Sequence, residues 1–161
     1  MRQTKAERMH LRCAQALTAS VLLLFSTALS FGGPPRQRIT FLPSGVSVLA
    51  ERAATPEERA RGLMLRKSLG DSEAMIFCFE ESSYLTFWMY HTLIPLTVIF
   101  LDEGLKIVDM QHMAPCLAKE ADACPVYASR ARARYAIEVN ERFVGKHRIR
   151  MGDRVALGEV R

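Results

Sequence analysis

Two short segments of the sequence combine methionine and histidine in a way that could bind a soft metal ion. Met89 and His91 lie two residues apart in one β-prone run, and Met110 and His112 lie two apart in another. Thioether and imidazole ligands favour Cu(I), and pairing of the two runs in a sheet could bring the four side chains together. Because methionines on apolar strands are more often core residues, the sequence favours no metal site and predicts no cofactor. Cu(I) binding is kept as an alternative.

The same histidines could instead act with an acid in hydrolysis. His91 or His112, paired with a carboxylate in an open pocket, would serve as a general base. Ser129 and Thr92 lack a nucleophile elbow, and Cys78 lies between two phenylalanines, which is typical of a buried and inert thiol. The catalytic residues of such an enzyme are therefore not identified, and an envelope hydrolase is the second alternative to a binding role.

Side chains suited to ligand binding occur at the end of the first predicted helix and along the predicted strand 84–90, which contains the single tryptophan. Arg66 presents a planar guanidinium that fits carboxylate or phosphate, although an ion pair with Glu138 or another acid is the commoner role. Trp88 offers an apolar ring with one hydrogen-bond donor, although a core position is its commoner role. We expect a cleft where the helix end meets this strand. Its predicted lining residues are Met64, Arg66, Trp88, Met89, His91 and Thr92.

Three cysteines lie beyond the N-terminal segment of the chain. Cys116 and Cys124 are eight residues apart in a loop bracketed by Pro115 and Pro125, whereas Cys78 lies in an apolar run. We therefore predict a disulfide bond between Cys116 and Cys124, with Cys78 as a free, buried thiol. Such a bond is typical of proteins that mature in an oxidising compartment.

Strand-forming runs dominate the chain from residue 39 onwards. Turn signals at Pro43–Gly45 and Asp102–Gly104 predict hairpins. Thr55–Glu58 has the pattern of a capped helix start, for a helix that runs to about Met64, and Asn140 could cap a second short helix. The sequence thus predicts a mainly β fold, an antiparallel sheet folded into a partial barrel or sandwich with two short helices.

The central motif of the chain is similar to that of a known bacterial and archaeal family. It reads Phe87-Trp88-Met89-x-x-Thr92-x-Ile94-Pro95-Leu96, and the likeness extends over nearly the whole domain. On these residues the chain resembles the domain-of-unknown-function family numbered 192. The resemblance implies a small, mainly β domain that is often exported and has no agreed biochemical role. The other matching segments are Glu58-Arg59-x-Arg61-Gly62-Leu63-Met64-x-Arg66, Cys124-Pro125-x-Tyr127, Tyr135 to Asn140 and Gly152-Asp153-x-Val155.

The chain departs from the family pattern at a few positions. Tyr90 and His91 stand where the family usually has Lys-Asn, and Thr97 stands where it usually has Asp. Arg142 takes the place of a family glycine near the second helix. If the usual Lys, Asn and Asp form a functional polar cluster, this member has lost or changed it.

The first thirty residues have the features of a secretory signal peptide. Four basic residues and one acid precede an apolar run over residues 14–29, which ends in small residues at the positions that signal peptidase reads. An uncleaved inner-membrane anchor is the alternative, although polar residues dilute the run. We predict a signal peptide over residues 1–30, a linker over 31–38 and a single globular domain over 39–161.

Removal of that segment changes the charge balance. The whole chain has 22 Lys and Arg against 17 Asp and Glu, and loss of four basic residues and one acid leaves 18 against 16. The basic character belongs largely to the segment, so we predict no nucleic-acid partner, and membrane contact only through an uncleaved segment. The predicted function is that of a periplasmic or secreted binding domain, with a small ligand or an envelope protein as partner.

If the N-terminal segment is a cleaved signal, intact-mass analysis of protein recovered from the cell envelope should find a chain that begins near residue 31. Its mass should also be lower by two hydrogens, because the loop cysteines oxidise after export. Recovery from the cytosol with an intact Met1 and both loop thiols reduced would contradict the predicted export.

Overall fold

The computed structural model describes residues 35–160, which contain nine strands and two short α-helices. The predicted signal peptide and most of the predicted linker lie outside the described residues. No helix within residues 35–160 is long and apolar enough to cross a membrane. The strands are β1 Arg36–Leu42, β2 Ser47–Ala53, β3 Glu73–Ser83, β4 Thr86–Trp88, β5 Leu96–Leu101, β6 Ile107–Met113, β7 Val126–Ala128, β8 Ala133–Asn140 and β9 Arg154–Val160. The helices are α1 Pro56–Arg61 and α2 Phe143–His147, with a 3₁₀ turn at Ala121–Ala123.

Seven strands form one curled sheet in the order β6-β5-β8-β3-β2-β1-β9. The start of β6 also approaches the start of β9, because Ile107 N donates to Asp153 O at 2.8 Å and Gly152 N donates to Ile107 O at 2.9 Å. The two outer strands thus meet at one end, and the sheet closes part of the way into a barrel. The predicted mainly β partial barrel with two short helices is confirmed.

The sheet is mainly antiparallel, as expected, and contains one parallel pair of strands. β2 and β3 run parallel, with Glu51 opposite Met75. The reason is the connection between them, which contains α1 and the loop that follows it. This crossover carries the chain back to the end at which β2 began, as a parallel neighbour requires.

The first helix begins as the sequence predicts and ends earlier. Thr55 Oγ1 accepts a hydrogen bond from Glu58 N at 3.2 Å, and the Glu58 carboxylate accepts from Thr55 N at 2.9 Å, which completes a capping box. The helix ends at Arg61 instead of about Met64, because Gly62 has a φ of 46° and turns the chain away. Residues 62–72, here called the covering segment, then cross the sheet as a loop.

Apolar side chains fill both faces of the central strands. On one face, here called the site face, Phe77 and Phe100 pack with residues of the covering segment and of β4. On the opposite face, Ile76 and Ile99 pack in a cluster that includes Phe143 of α2. Successive residues of a strand point to opposite faces, which explains why neighbours in sequence belong to different clusters.

A second, two-stranded sheet lies over the site face. The predicted strand 84–90 is reduced to β4, which pairs with β7 instead of joining the main sheet. Cys116 and Cys124 form the predicted disulfide bond in the loop before β7, and Cys78 is free and half-buried. Cys116 also forms β-bridges to Tyr90 and Thr92, so the disulfide loop fixes the chain that leaves β4.

The Asp109 carboxylate, which is fully buried, ties β6 to the loop between β7 and β8. It accepts hydrogen bonds from Arg130 Nε and Arg130 N at 2.9 Å each, and from Met110 N and Gln111 Nε2 at 2.8 Å each. Burial acts to raise the pKa of Asp109, but the bonds from Arg130, Gln111 and Met110 outweigh it and hold the pKa below its ordinary value.

Asp109→Asn should lower the free energy of unfolding by about 2 kcal/mol at neutral pH, because an amide cannot accept all of these bonds. The lowered pKa means that the wild type gains this stability above pH 3.8 and loses it as the pH falls through the folded-state value. Urea unfolding should therefore show the two proteins converging in acid. Asp122→Asn, at an exposed acid of the 3₁₀ turn, is the matched control, and equal stability of Asp109→Asn and wild type at pH 7 would contradict the assignment.

Candidate functional site

The covering segment and the chain that leaves β4 meet through a backbone hydrogen bond. Leu65 N donates to His91 O at 2.9 Å. Both residues have left-handed backbone conformations, with φ of 61° at Leu65 and 52° at His91. Residues other than glycine rarely adopt this backbone region, because it costs about 1–2 kcal/mol for each residue. Residues in this conformation cluster at functional sites. The helix end and the strand that the sequence predicts to form a cleft therefore do come together here.

The predicted lining residues differ in how far they reach the surface. Met89 is fully buried in the core of the site face, and Thr92 is buried as well. Met64 is half-buried, whereas Trp88 and His91 are exposed. Only part of the predicted set can therefore contact a ligand without movement of the backbone.

Arg66 is held by an acid of the sheet. Its Nη2 contacts the Glu51 carboxylate, which also lies 3.8 Å from Arg36 Nη2. The sequence allows an ion pair of Arg66 with Glu138 or another acid, and the acid is Glu51. Because its guanidinium is already paired, Arg66 positions the covering segment instead of facing a ligand.

The residues of the copper alternative lie on two faces of the sheet. Met89 packs on the site face, whereas Met110 packs against the cluster of the opposite face. His112 is across from Thr97 on the same side as Met110, and its Nδ1 lies 2.9 Å from Thr97 Oγ1. The structure therefore does not assemble the two Met-His pairs into one site.

The hydrolase alternative requires a histidine beside an acid. Over residues 35–160, neither His91 nor His112 has a carboxylate within hydrogen-bonding distance. The ring of His91 instead lies 3.9 Å, centroid to centroid, from the ring of Tyr90. The same described residues contain no cluster of three His, Cys, Asp or Glu side chains that could hold a metal ion.

A cleft of about 540 Å³ opens next to the predicted position. This volume lies within the range of pockets that bind small molecules. Two of its walls continue the predicted segments, since Ser68 follows Arg66 and Ile94 follows Thr92 by two residues. The third wall, the corner between β8 and α2, was not predicted as part of a site. The residues that line the cleft are Ser68, Leu69, Asp71, Ile94, Pro95, Asn140, Glu141, Arg142 and Lys146.

The Asn140 side chain joins two walls of this cleft. Its Nδ2 donates to Leu69 O at 3.1 Å, and its Oδ1 accepts from Arg142 N at 3.0 Å. The covering segment is thus tied to the β8–α2 corner, and the cleft is formed before any ligand enters. The signals that could have pointed to the third wall are the family-like stretch that ends at Asn140 and the departure at Arg142.

Of the two basic side chains that line the cleft, one is paired with an acid and the other is not. Lys146 Nζ bonds to the Asp71 carboxylate, and this bond lowers the pKa of Asp71. The Arg142 side chain, in contrast, has no acidic partner within residues 35–160. Ile94 and Pro95 provide an apolar wall in the same cleft. The cleft therefore combines an unpaired guanidinium with an apolar surface.

Glu138 lies on the site face of β8, two residues before Asn140. Its exposed fraction is 4%, and none of the described residues forms a hydrogen bond or ion pair with its carboxyl group. Burial raises its pKa to about 8. Burial therefore favours the neutral form of the carboxyl group, which explains how it is buried without a cation.

Comparison with known proteins identifies a matching family and two similar solved structures. Residues 39–157 match the model of the family DUF192, described as "Uncharacterized ACR". No curated protein matches the sequence. A crystal structure from Sinorhizobium meliloti 1021, of a proposed transcription regulator, is similar with a TM-score of 0.66 and 26% identity, over 76% of this chain and 92% of that one. A protein of unknown function from Novosphingobium aromaticivorans DSM 12444 has a TM-score of 0.61 and 28% identity, over 75% of this chain and 83% of that one.

His91→Asn should raise the free energy of unfolding by about 0.5–1 kcal/mol, because asparagine adopts the left-handed conformation at lower cost than histidine. Urea unfolding at pH 7 measures the change. Arg148→Asn, at a left-handed position outside the site, is the matched control and should show a similar gain. A loss of stability confined to His91→Asn would show that the contact of its ring with Tyr90 outweighs the backbone strain.

Proposed function

We propose that this chain, which belongs to the DUF192 family, is an exported domain that binds a small carboxylated molecule with an apolar portion. The proposal is based on the chemistry of its own cleft. The observation that carries the proposal is the unpaired Arg142 guanidinium beside the apolar wall of Ile94 and Pro95. A guanidinium binds a carboxylate through two parallel hydrogen bonds, which fixes the orientation of the ligand.

The remaining lining groups support binding of one negative charge. Lys146 is neutralised by Asp71, so Arg142 is the cation that remains for a ligand among the described lining residues. Glu141 lies beside it and would accept a hydrogen bond from an ammonium group, if the ligand carries one. A carboxylate with an apolar side chain, such as a hydrophobic amino acid, therefore fits the groups better than a polyanion does.

The disulfide bond supports the export part of the proposal. Bonds of this kind form and persist in oxidising compartments, and Cys116–Cys124 is supported by β-bridges of Cys116 to Tyr90 and Thr92. The N-terminal apolar segment with its basic start supports the same conclusion from the sequence. The proposed location is the periplasm or the cell exterior.

Binding at the cleft should raise the melting temperature of the protein. A ligand present at about one hundred times its dissociation constant stabilises the folded state by about 2.7 kcal/mol, which corresponds to several degrees for a domain of this size. Arg142→Ala should abolish the shift given by hydrophobic amino acids or short-chain carboxylates, because the ion pair with the carboxylate is lost. The measurement is a thermal-shift screen with a panel of these compounds and of phosphate esters.

Arg150→Ala is the matched control, because Arg150 is an exposed arginine that does not line the cleft. It should keep the full shift. An equal shift in Arg142→Ala and wild type would contradict the proposed site. Retention of near-stoichiometric Cu(I) after dialysis would support the copper alternative instead.

A further inference from the structure

Two buried glutamates lie in one row on the site face. The strand register places Glu51 opposite Met75 and Met75 opposite Glu138, so the three side chains point to the same side. Two strand spacings put the glutamate Cα atoms about 10 Å apart. The exposed fractions are 9% for Glu51 and 4% for Glu138. Arg66 is bonded to Glu51, whereas Glu138 has no partner among the described residues.

The covering segment links these acids to the cleft. Leu63 and Leu69 of this segment are buried in the same cluster as Met75, and Arg66 lies between them in sequence. Ser68 and Leu69 belong to the cleft wall. Arg66 and this wall therefore belong to one short loop, with fewer than four residues between them.

The covering segment also contains two positions at which the backbone is held in an uncommon conformation. Gly62 has a φ of 46° and Leu65 a φ of 61°. At Leu65 the conformation is supported by the hydrogen bond to His91 O. A non-glycine residue in this region persists only while its surroundings hold it, so the segment stores strain that a local change can release.

We propose that the covering segment is a pH-gated wall of the cleft: when Glu138 loses its proton, Arg66 exchanges Glu51 for Glu138 and the wall moves. Only the consequence of this movement, which is control of ligand access, rests on the proposed function. The movement itself requires no ligand.

Ionisation of Glu138 creates a buried negative charge that must find a donor or admit water. Burial raises the pKa of Glu138 to about 8, so this change falls just above neutrality. Met75 and Val98, its neighbours on β3 and β5, offer no polar group. The polar and charged side chains on the site face of the surrounding elements are Arg36 on β1, Glu51 on β2, Arg59 on α1, Arg66 on the covering segment, Asn140 on β8, and Asp109 and Gln111 on β6 with Arg130 from the loop before β8.

Arg66 is the cation of this set that can change partner. Arg36 lies one strand further from Glu138 than Glu51 does, and Arg59 is bonded to the Ala54 and Cys78 carbonyl oxygens. Arg130 is committed to Asp109 by two guanidinium bonds, and the Asn140 amide is committed to Leu69 and Arg142. Arg66 is one-third exposed and has its carboxylate partner in the same row as Glu138. A long, flexible side chain on a strained loop can move between two acids on neighbouring parts of one face.

The test uses trypsin cleavage after Lys67, since cleavage within a folded segment requires the segment to open locally. The cut is identified by mass spectrometry, because Arg61 and Arg66 are also trypsin sites. The rate on the full chain is divided, at each pH, by the rate on an unstructured peptide of the same local sequence. We expect this ratio to rise about tenfold between pH 6 and pH 10 in the wild type, with its midpoint at the pH where Glu138 ionises. Carbon-13 NMR of the Glu138 carboxyl group gives that pH independently. In Glu138→Gln, which keeps the shape without the charge, the ratio should stay constant.

The Glu51→Gln variant distinguishes exchange of Arg66 between the two glutamates from simple entry of water beside Glu138. Without the competing carboxylate, Arg66 is available to Glu138, so the midpoint should fall by about one pH unit or more. An unchanged midpoint in Glu51→Gln would overturn the exchange, and a ratio that is flat in the wild type while Glu138 titrates would overturn the gate. Failure of every compound in the thermal-shift panel would count against the proposed ligand alone, because the cleavage assay contains no ligand.

Discussion

Burial of the central strands on both faces is the constraint on which the rest of the structure depends. All six residues of β5 are buried, and β3 and β8 contribute apolar residues to both core clusters. Each face must therefore be covered by other parts of the chain. α2 contributes to the cover of one face, whereas the site face is covered by short irregular pieces. The cleft lies where three such pieces meet, and its shape depends on the few bonds that join them, such as that from Asn140 to Leu69.

The irregular segments that cover the site face explain why several residues there have uncommon backbone conformations or uncommon burial. Short loops offer little apolar surface and few backbone partners, so their conformation is fixed by contacts elsewhere. Leu65 and His91 have left-handed conformations and are joined by a hydrogen bond, and Glu138 is buried on the same face without a partner among the described residues. Natural proteins retain such departures mainly where they have a use, which is the physical reason to look for function on the site face.

Patterns of residues close in sequence were sufficient to predict the fold. The site, in contrast, depends on contacts between distant residues, which no local pattern reveals. The cap at Thr55, the turn at Pro43–Gly45 and the Cys116–Cys124 bond depend on residues close in sequence, and each is present. The pairing of β4 with β7 joins residues about forty apart, so no local pattern could predict that only Thr86–Trp88 of the stretch 84–90 forms a strand. The β8–α2 wall of the cleft depends on contacts over some seventy residues, such as that of Asn140 with Leu69, and was not predictable for the same reason.

Two of the positions at which this chain departs from the family pattern that it resembles, Thr97 and Arg142, lie next to Glu141 at one corner. Thr97 stands where the family usually has aspartate, and its hydroxyl bonds to Glu141 O and to His112, so the position keeps a polar link without an acid. Arg142, where glycine is usual, follows Glu141 directly. Both changes make the corner more positive, one by removing an anion and one by adding a cation. Arg142 is therefore a charge that this member adds at the corner, and under the proposed function the choice of ligand there becomes a property of this member.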